Sequence, residues 1–220
     1  MPAAQRSLSD ESHRHHIALC CRVTQYPGVN TDRTTSPCQE AALGPRADRI
    51  YNVLFLCTGN SARSIMAESI LRKDGSARFR AFSAGCRPAG RVNPFALKIL
   101  ASFDYPIGGL RSKSWDEFAG PDAPIMDFVF SVCDGAAEEL CPKWPGQPMS
   151  ARWGIGDPAA AEGTDIQKEA AFLTAFRYLK VRIGTFLTLP LDRIGPAALD
   201  TTLQEIGRSE GATTPRPGRT

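Results

Sequence analysis

Residues 51–64 read YNVLFLCTGNSARS. A run of apolar side chains, Val53-Leu54-Phe55-Leu56, ends at Cys57, and Arg63 stands six positions later. A short unbroken apolar run of this kind is expected for a strand buried on both faces of a parallel sheet. The residues after it are small and polar: Thr58, Gly59, Asn60, Ser61 and Ala62. From Ile65 a helical face runs to about Lys73, and Asp74-Gly75 ends it. Strand, glycine-containing loop and helix in this order bring backbone N–H groups and the positive end of a helix beside the thiol. Gly59 permits unusual backbone angles and Asn60 tolerates positive φ, so the loop can curl its amides around one point as an anion nest.

The thiol itself needs help. A free cysteine has a pKa of about 8.5 and is mostly protonated at neutral pH. Histidine, a common activator, stands only at His13, His15 and His16, and none occurs from Arg49 onward. A Cys–His pair inside the folded domain is therefore excluded as the expected arrangement. Loop amides, the helix N-terminus and Arg63 remain. Arg63 can grip a tetrahedral oxyanion through two parallel hydrogen bonds, and Ser61 and Ser64 offer hydroxyls to the thiolate. The stretch predicts a nucleophile, Cys57, under a phosphate-like ion held by Thr58, Gly59, Asn60, Ser61, Ala62, Arg63 and Ser64.

Outward from this stretch, strands and helices alternate. Phe79–Ser83 reads as a second strand, and Asn93-Pro94 as a capped helix start. Ser114 and Glu117 have capping-box spacing, which predicts a short helix. Phe128–Val132 is a later strand ending at Cys133, and Arg152-Trp153 ends a last short one. Thr164 and Gln167 form a second capping box, followed by an amphipathic helix on Ile166, Ala170, Leu173, Phe176, Leu179, Ile183 and Phe186. The pattern predicts an α/β domain: a three-layer open parallel sheet of about four strands with helices on both faces. Cys57 and Cys133 both follow strands, so they are expected at the same sheet edge, where such folds place their sites. The domain is expected over residues 50–190. Residues 1–49 lack any sustained period and are expected to be a disordered extension, and 191–220 a partly disordered tail.

Composition narrows the function classes. A net charge of +3, with no basic block, gives no argument for nucleic acid. No apolar run reaches the ~18 residues of a membrane span, and the N-terminus lacks a signal-peptide layout. The chain is read as soluble and cytoplasmic. An odd count of seven cysteines without a signal peptide argues for buried, metal-binding or catalytic thiols over a disulfide framework.

The stretch from Val53 to Glu68 closely resembles the signature of low-molecular-weight protein tyrosine phosphatases and of the arsenate reductases built on the same fold. Ser83-Ala84-Gly85 and Asp157-Pro158 also match, and the resemblance spans about residues 51–190. It implies that Asp157, in the glycine-rich loop Trp153–Pro158, is the general acid. Three features favour the reductases. Ala159-Ala160-Ala161 follows Asp157-Pro158, where phosphatases of this family usually carry aromatic residues that pack against a phosphotyrosine ring. The segment from Ser131 to Pro142 resembles the redox segment of the reductases, which implies that Cys133 resolves Cys57 and Cys141 carries the disulfide onward. Trp144–Pro148 and Arg152–Pro158 are also closer to the reductases.

Residue 62 is Ala where many relatives have Cys, and Cys133 and Cys141 are one residue further apart than in thioredoxin-linked relatives. Cys133 alone, or an external low-molecular-weight thiol, is the alternative resolving route. The substrate implied is arsenate, with phosphate as competitor. No tightly bound cofactor is implied, only an external reductant, thioredoxin or glutathione with glutaredoxin. Some relatives bind potassium near this loop, and Asn60, Glu68 and Ser83 match in type; no metal is assigned. The alternatives are a phosphatase for phosphotyrosine or small phosphoesters, and a thiol or metal sensor built on His13, His15, His16, Cys20 and Cys21.

Overall fold

The computed structural model describes residues 49–134 and 144–213. Four strands, β1 (Tyr51–Cys57), β2 (Phe79–Gly85), β3 (Phe128–Ser131) and β4 (Met149–Arg152), form one sheet in the order β2-β1-β3-β4. Every pairing is parallel, with Cys57 opposite Gly85 and Leu56 opposite Ser131. The carboxyl ends of all four strands therefore lie along one edge. Among the described residues the complete α-helices are α1 (Arg63–Asp74), α2 (Pro94–Ser102), α3 (Asp165–Leu187) and α4 (Pro196–Gly207). The α/β class and the four-stranded parallel sheet are as expected.

β1 is central, which explains its continuous apolar run: Val53 through Leu56 are essentially fully buried. Alternation sends Tyr51, Val53 and Phe55 to one face and Leu54 and Leu56 to the other. On the first face Phe79, Phe128 and Phe130 gather around Phe186 of α3, with ring centroids 5.0, 5.2 and 5.3 Å away. Trp153 stacks on Phe130 at 3.9 Å. Each such side chain contributes about 1.5–3 kcal/mol on burial, so this cluster fixes α3 against the sheet. On the second face Phe82 packs edge-on against Phe118 of a short 3-10 turn, Trp115–Phe118.

Capping chemistry sets the helix starts. Asn93 accepts from the Phe95 amide ahead of Pro94, and Thr164 and Gln167 complete the predicted capping box of α3. The box expected at Ser114 does not close. Ser114 accepts from the Asp116 amide, but Glu117 pairs with Arg111 instead of reaching back, and only the 3-10 turn forms. Ile166, expected on the buried face of α3, is 81% exposed because it lies in the first turn, before the helix reaches its neighbours.

The largest departure is C-terminal. Residues 196–207, expected within the tail, form α4 and bury Leu199, Leu203 and Ile206. α4 packs on β4: the Leu203 carbonyl accepts from Trp153 Nε1 at 3.0 Å, and Gln204 Nε2 donates to the Ser150 carbonyl at 3.1 Å. Among the described residues no helix is long and apolar enough to cross a membrane.

Candidate active site

Cys57 ends β1 with its side chain buried. The backbone turns sharply at Asn60, whose φ of 41° is the left-handed conformation that asparagine tolerates. Gly59, which would permit unusual backbone angles, does not adopt positive φ. The glycine that the loop does require is Gly85, beside it on β2. A Cβ there would lie 2.6 Å from the Thr58 carbonyl oxygen and 2.9 Å from the Asn60 nitrogen.

The turn aims donors at the sulfur. The Asn60 amide donates to Cys57 Sγ at 3.2 Å, and Ser64 Oγ lies 2.9 Å from it. Asn60 Nδ2 donates to Ser64 Oγ at 2.9 Å, which leaves the serine proton free to face the sulfur. α1 begins immediately after Ala62, with no side-chain cap and no carboxylate in its first turn. Its positive end is thus left for an anion. Burial raises the Cys57 thiol above its ordinary pKa, and the nearby Cys133 adds to this; the Ser64 hydrogen bonds and Arg63 pull the other way without prevailing.

A buried polar layer holds this turn from behind. Asn60 Nδ2 also donates to Ser83 Oγ at 2.8 Å, and Asn60 Oδ1 accepts from the Lys113 amide at 2.8 Å. Ser83 Oγ donates to Glu68 Oε2 at 2.5 Å. Lys113 Nζ lies 3.4 Å from both Glu68 Oε2 and Ser83 Oγ, and Arg72 pairs with Glu68 Oε1. Of Asn60, Glu68 and Ser83, matched in type to a potassium site of some relatives, Glu68 and Ser83 thus face the ammonium of Lys113, and Asn60 accepts from its backbone amide. Burial lowers the Lys113 pKa and the Glu68 carboxylate opposes it. The sequence signalled nothing here, because Arg111-Ser112-Lys113-Ser114 reads as a polar loop.

The side chains of Lys113 and Glu68 are only 7% and 4% exposed. Lys113→Met is therefore expected to leave the buried Glu68 carboxylate with Arg72 as its one remaining cationic partner and to cost about 1–3 kcal/mol, read as a lower urea midpoint.

Arg63, at the start of α1, reaches across the sheet edge. Its Nη2 pairs with Asp157 Oδ2 at 2.8 Å, and its Nη1 donates to the Ile155 carbonyl at 3.1 Å. Asp157 is thereby tied to the loop, and it also caps the 3-10 turn Pro158–Ala160. Ala159 and Ala160 on that turn are exposed, so this lip carries methyl groups and no ring.

Cys133 lies just past β3, and the Val132 amide donates to the Leu56 carbonyl at 2.8 Å. This places Cys133 Sγ 3.5 Å from Thr58 Oγ1, beside the loop and buried. Cys86 Sγ, 3.8 Å from the Thr58 carbonyl oxygen, flanks the loop on its other side. Cys57, Cys86 and Cys133 are all thiols. Cys141 lies outside the described residues, as do His13, His15, His16, Cys20 and Cys21. Among the described residues no group of His, Cys, Asp or Glu is arranged to hold a metal ion.

A cysteine-bearing loop of this geometry at the carboxyl edge of a parallel sheet defines a class. The sequence matches the model of the family described as low molecular weight phosphotyrosine protein phosphatase over residues 52–175. The chain belongs to that family. Among curated relatives, an arsenate reductase of Halalkalibacterium halodurans is 38% identical over 134 residues, which is 61% of this chain and 93% of the relative. An arsenate reductase of Bacillus subtilis is 36% identical over 120 residues, 54% of this chain and 83% of the relative. Among solved structures, an arsenate reductase in the phosphate binding state superposes with a TM-score of 0.52 at 28% identity, covering 63% of this chain and 97% of that one. The tyrosine phosphatase Wzb from Escherichia coli K30, in complex with sulphate, has a TM-score of 0.51 at 18% identity, covering 63% and 96%, and shares the fold.

Proposed function

We propose that this chain reduces arsenate to arsenite through a cysteine–arsenate adduct and a disulfide relay. The observation that carries the reading is the second thiol, Cys133, set 3.5 Å from Thr58 Oγ1 at the rim of the oxyanion loop. Phosphoester hydrolysis at Cys57 needs no second thiol. The alanine lip after Asp157 and the curated arsenate reductases at 38% and 36% identity support the same choice.

Arsenate enters the nest as a dianion, held by the loop amides from Thr58 to Ser64 and by the Arg63 guanidinium. The raised pKa of Cys57 keeps the thiol protonated in the empty nest, and its proton passes to an oxygen of the arsenate dianion as the ion binds. The thiolate, with the Asn60 N–H and the Ser64 hydroxyl directed at it, attacks arsenic. Asp157 donates a proton to the departing hydroxide, which leaves as water. Cys133 then attacks Cys57 Sγ. The As–S bond breaks with its electron pair on arsenic, so As(V) becomes As(III) and two thiols become one disulfide. Cys141 takes over the bond from Cys57, and an external reductant, thioredoxin or glutathione with glutaredoxin, restores the thiols. Phosphate competes for the nest.

The test is arsenate-dependent NADPH oxidation, coupled in turn to thioredoxin with its reductase and to glutathione with glutaredoxin, beside phosphoester hydrolysis. Turnover in one reductant system that Cys133→Ser removes supports the relay. Silence in both systems, with brisk phosphoester hydrolysis, makes the chain a phosphatase.

A further inference from the structure

The chain beyond α4 returns to the site. Residues 207–210 are held from below by Arg182 of α3, which is fully buried; its Nη2 reaches the carbonyls of Gly207, Ser209 and Glu210, each at 3.4 Å. Gly211 then turns with a φ of 78°, and Ala212 forms an antiparallel bridge with Ile155. The Thr213 amide donates to the Gly154 carbonyl at 3.1 Å. Its hydroxyl donates to Asp134 Oδ1 at 2.6 Å. The same oxygen accepts from Arg152 Nη2 at 2.5 Å.

Two functional groups are therefore held by one strap. Asp134 is the residue after Cys133. Ile155 is the residue whose carbonyl accepts from Arg63, two positions before Asp157. The residue between the two contacts is Gly154, and it leaves them their space. A Cβ on it would lie 2.6 Å from Asp134 Oδ1 and 2.6 Å from Thr213 Oγ1. The hydrogen bond, the bridge and the glycine converge on one point, and all of it lies beyond the 52–175 family match except Asp134, Arg152, Gly154 and Ile155.

We propose that residues 211–213 form a positioning strap: Thr213, with Arg152, fixes Asp134 and so holds Cys133 in register beside the oxyanion loop. The consequence for catalysis rests on the reading of Cys133 as the resolving thiol; the positioning itself does not. Asp134 held by two donors leaves the adjoining Cys133 little freedom to leave its buried place. Loss of the Thr213 hydroxyl frees one of the two contacts, and a methyl at residue 154 pushes both partners apart.

The experiment labels the reduced full-length protein with iodoacetamide and follows each cysteine by peptide mass spectrometry. Thr213→Val and Gly154→Ala are expected to raise the Cys133 labelling rate about fivefold or more, the effect of one lost hydrogen bond on local opening. Thr213→Ser, which keeps the hydroxyl, is expected to match the wild type, and Cys57 labelling is expected to stay within about twofold throughout. Unchanged Cys133 labelling in Thr213→Val overturns the proposal. So does a parallel rise at Cys57, which would mean general loosening. Should Gly154→Ala fail to fold, the Thr213 pair decides alone. Labelling rates do not depend on whether the wild type turns over arsenate, so a failed reductase reading appears separately, in the coupled assay.

Discussion

Cys57→Ser is expected to abolish arsenate reduction, a loss on the order of 10⁴-fold or more in turnover. A hydroxyl cannot form the thiolate that attacks arsenic, nor the sulfur–sulfur bond that later carries two electrons away. The substitution is also mild structurally. The Asn60 amide at 3.2 Å and Ser64 Oγ at 2.9 Å can hydrogen-bond an oxygen as they do the sulfur. The buried layer of Asn60, Ser83, Glu68 and Lys113 is untouched. The variant should therefore unfold close to the wild-type urea midpoint and still bind phosphate, measured by calorimetry. A variant that neither turns over nor binds phosphate would locate the fault in the loop's folding, not in its nucleophile.

Arg63→Lys is the second large effect, with an expected fall in kcat/KM of about 10²–10³-fold. The guanidinium has a planar fork, and its two outer nitrogens serve different partners. Nη2 pairs with Asp157 Oδ2 at 2.8 Å while Nη1 donates to the Ile155 carbonyl at 3.1 Å. An ammonium is a point charge on a shorter reach and cannot span both. Lysine therefore loses the bidentate hold on the oxyanion and, together with it, the tie that brings the acid loop over the site. The signature is a raised KM for arsenate and a lowered kcat in the same variant. A rise in KM alone would mean that Arg63 binds the ion but does not position Asp157.

Residues 51–64 made the fold and the site's centre legible together, because the same pattern that makes β1 a buried strand delivers Cys57 to the sheet edge. Asn60 carried its positive φ in its residue type, and Thr164 with Gln167 carried a helix start in theirs. The rest depends on contacts that no local pattern encodes. Lys113 looks like a loop lysine until the fold folds it under Asn60, and Gly85 looks like an ordinary strand end until the Thr58 carbonyl comes within 2.6 Å of where a Cβ would be. α4 was legible in principle: Leu199, Leu203 and Ile206 repeat at helical spacing behind Pro196. The prolines and glycine around it read as the end of order when they are a connection. Ile166 shows the converse, a periodic apolar residue in a first turn with nothing to pack against.

The most direct test of arsenate reduction at Cys57, resolved by Cys133, is a single turnover without external reductant. Reduced Cys141→Ser protein is mixed with arsenate, quenched in acid, and analysed for arsenite and for disulfide-linked peptides. The relay predicts one arsenite per chain and one disulfide, joining the Cys57 and Cys133 peptides. Arsenate recovered unchanged, with both cysteines still thiols, would contradict it.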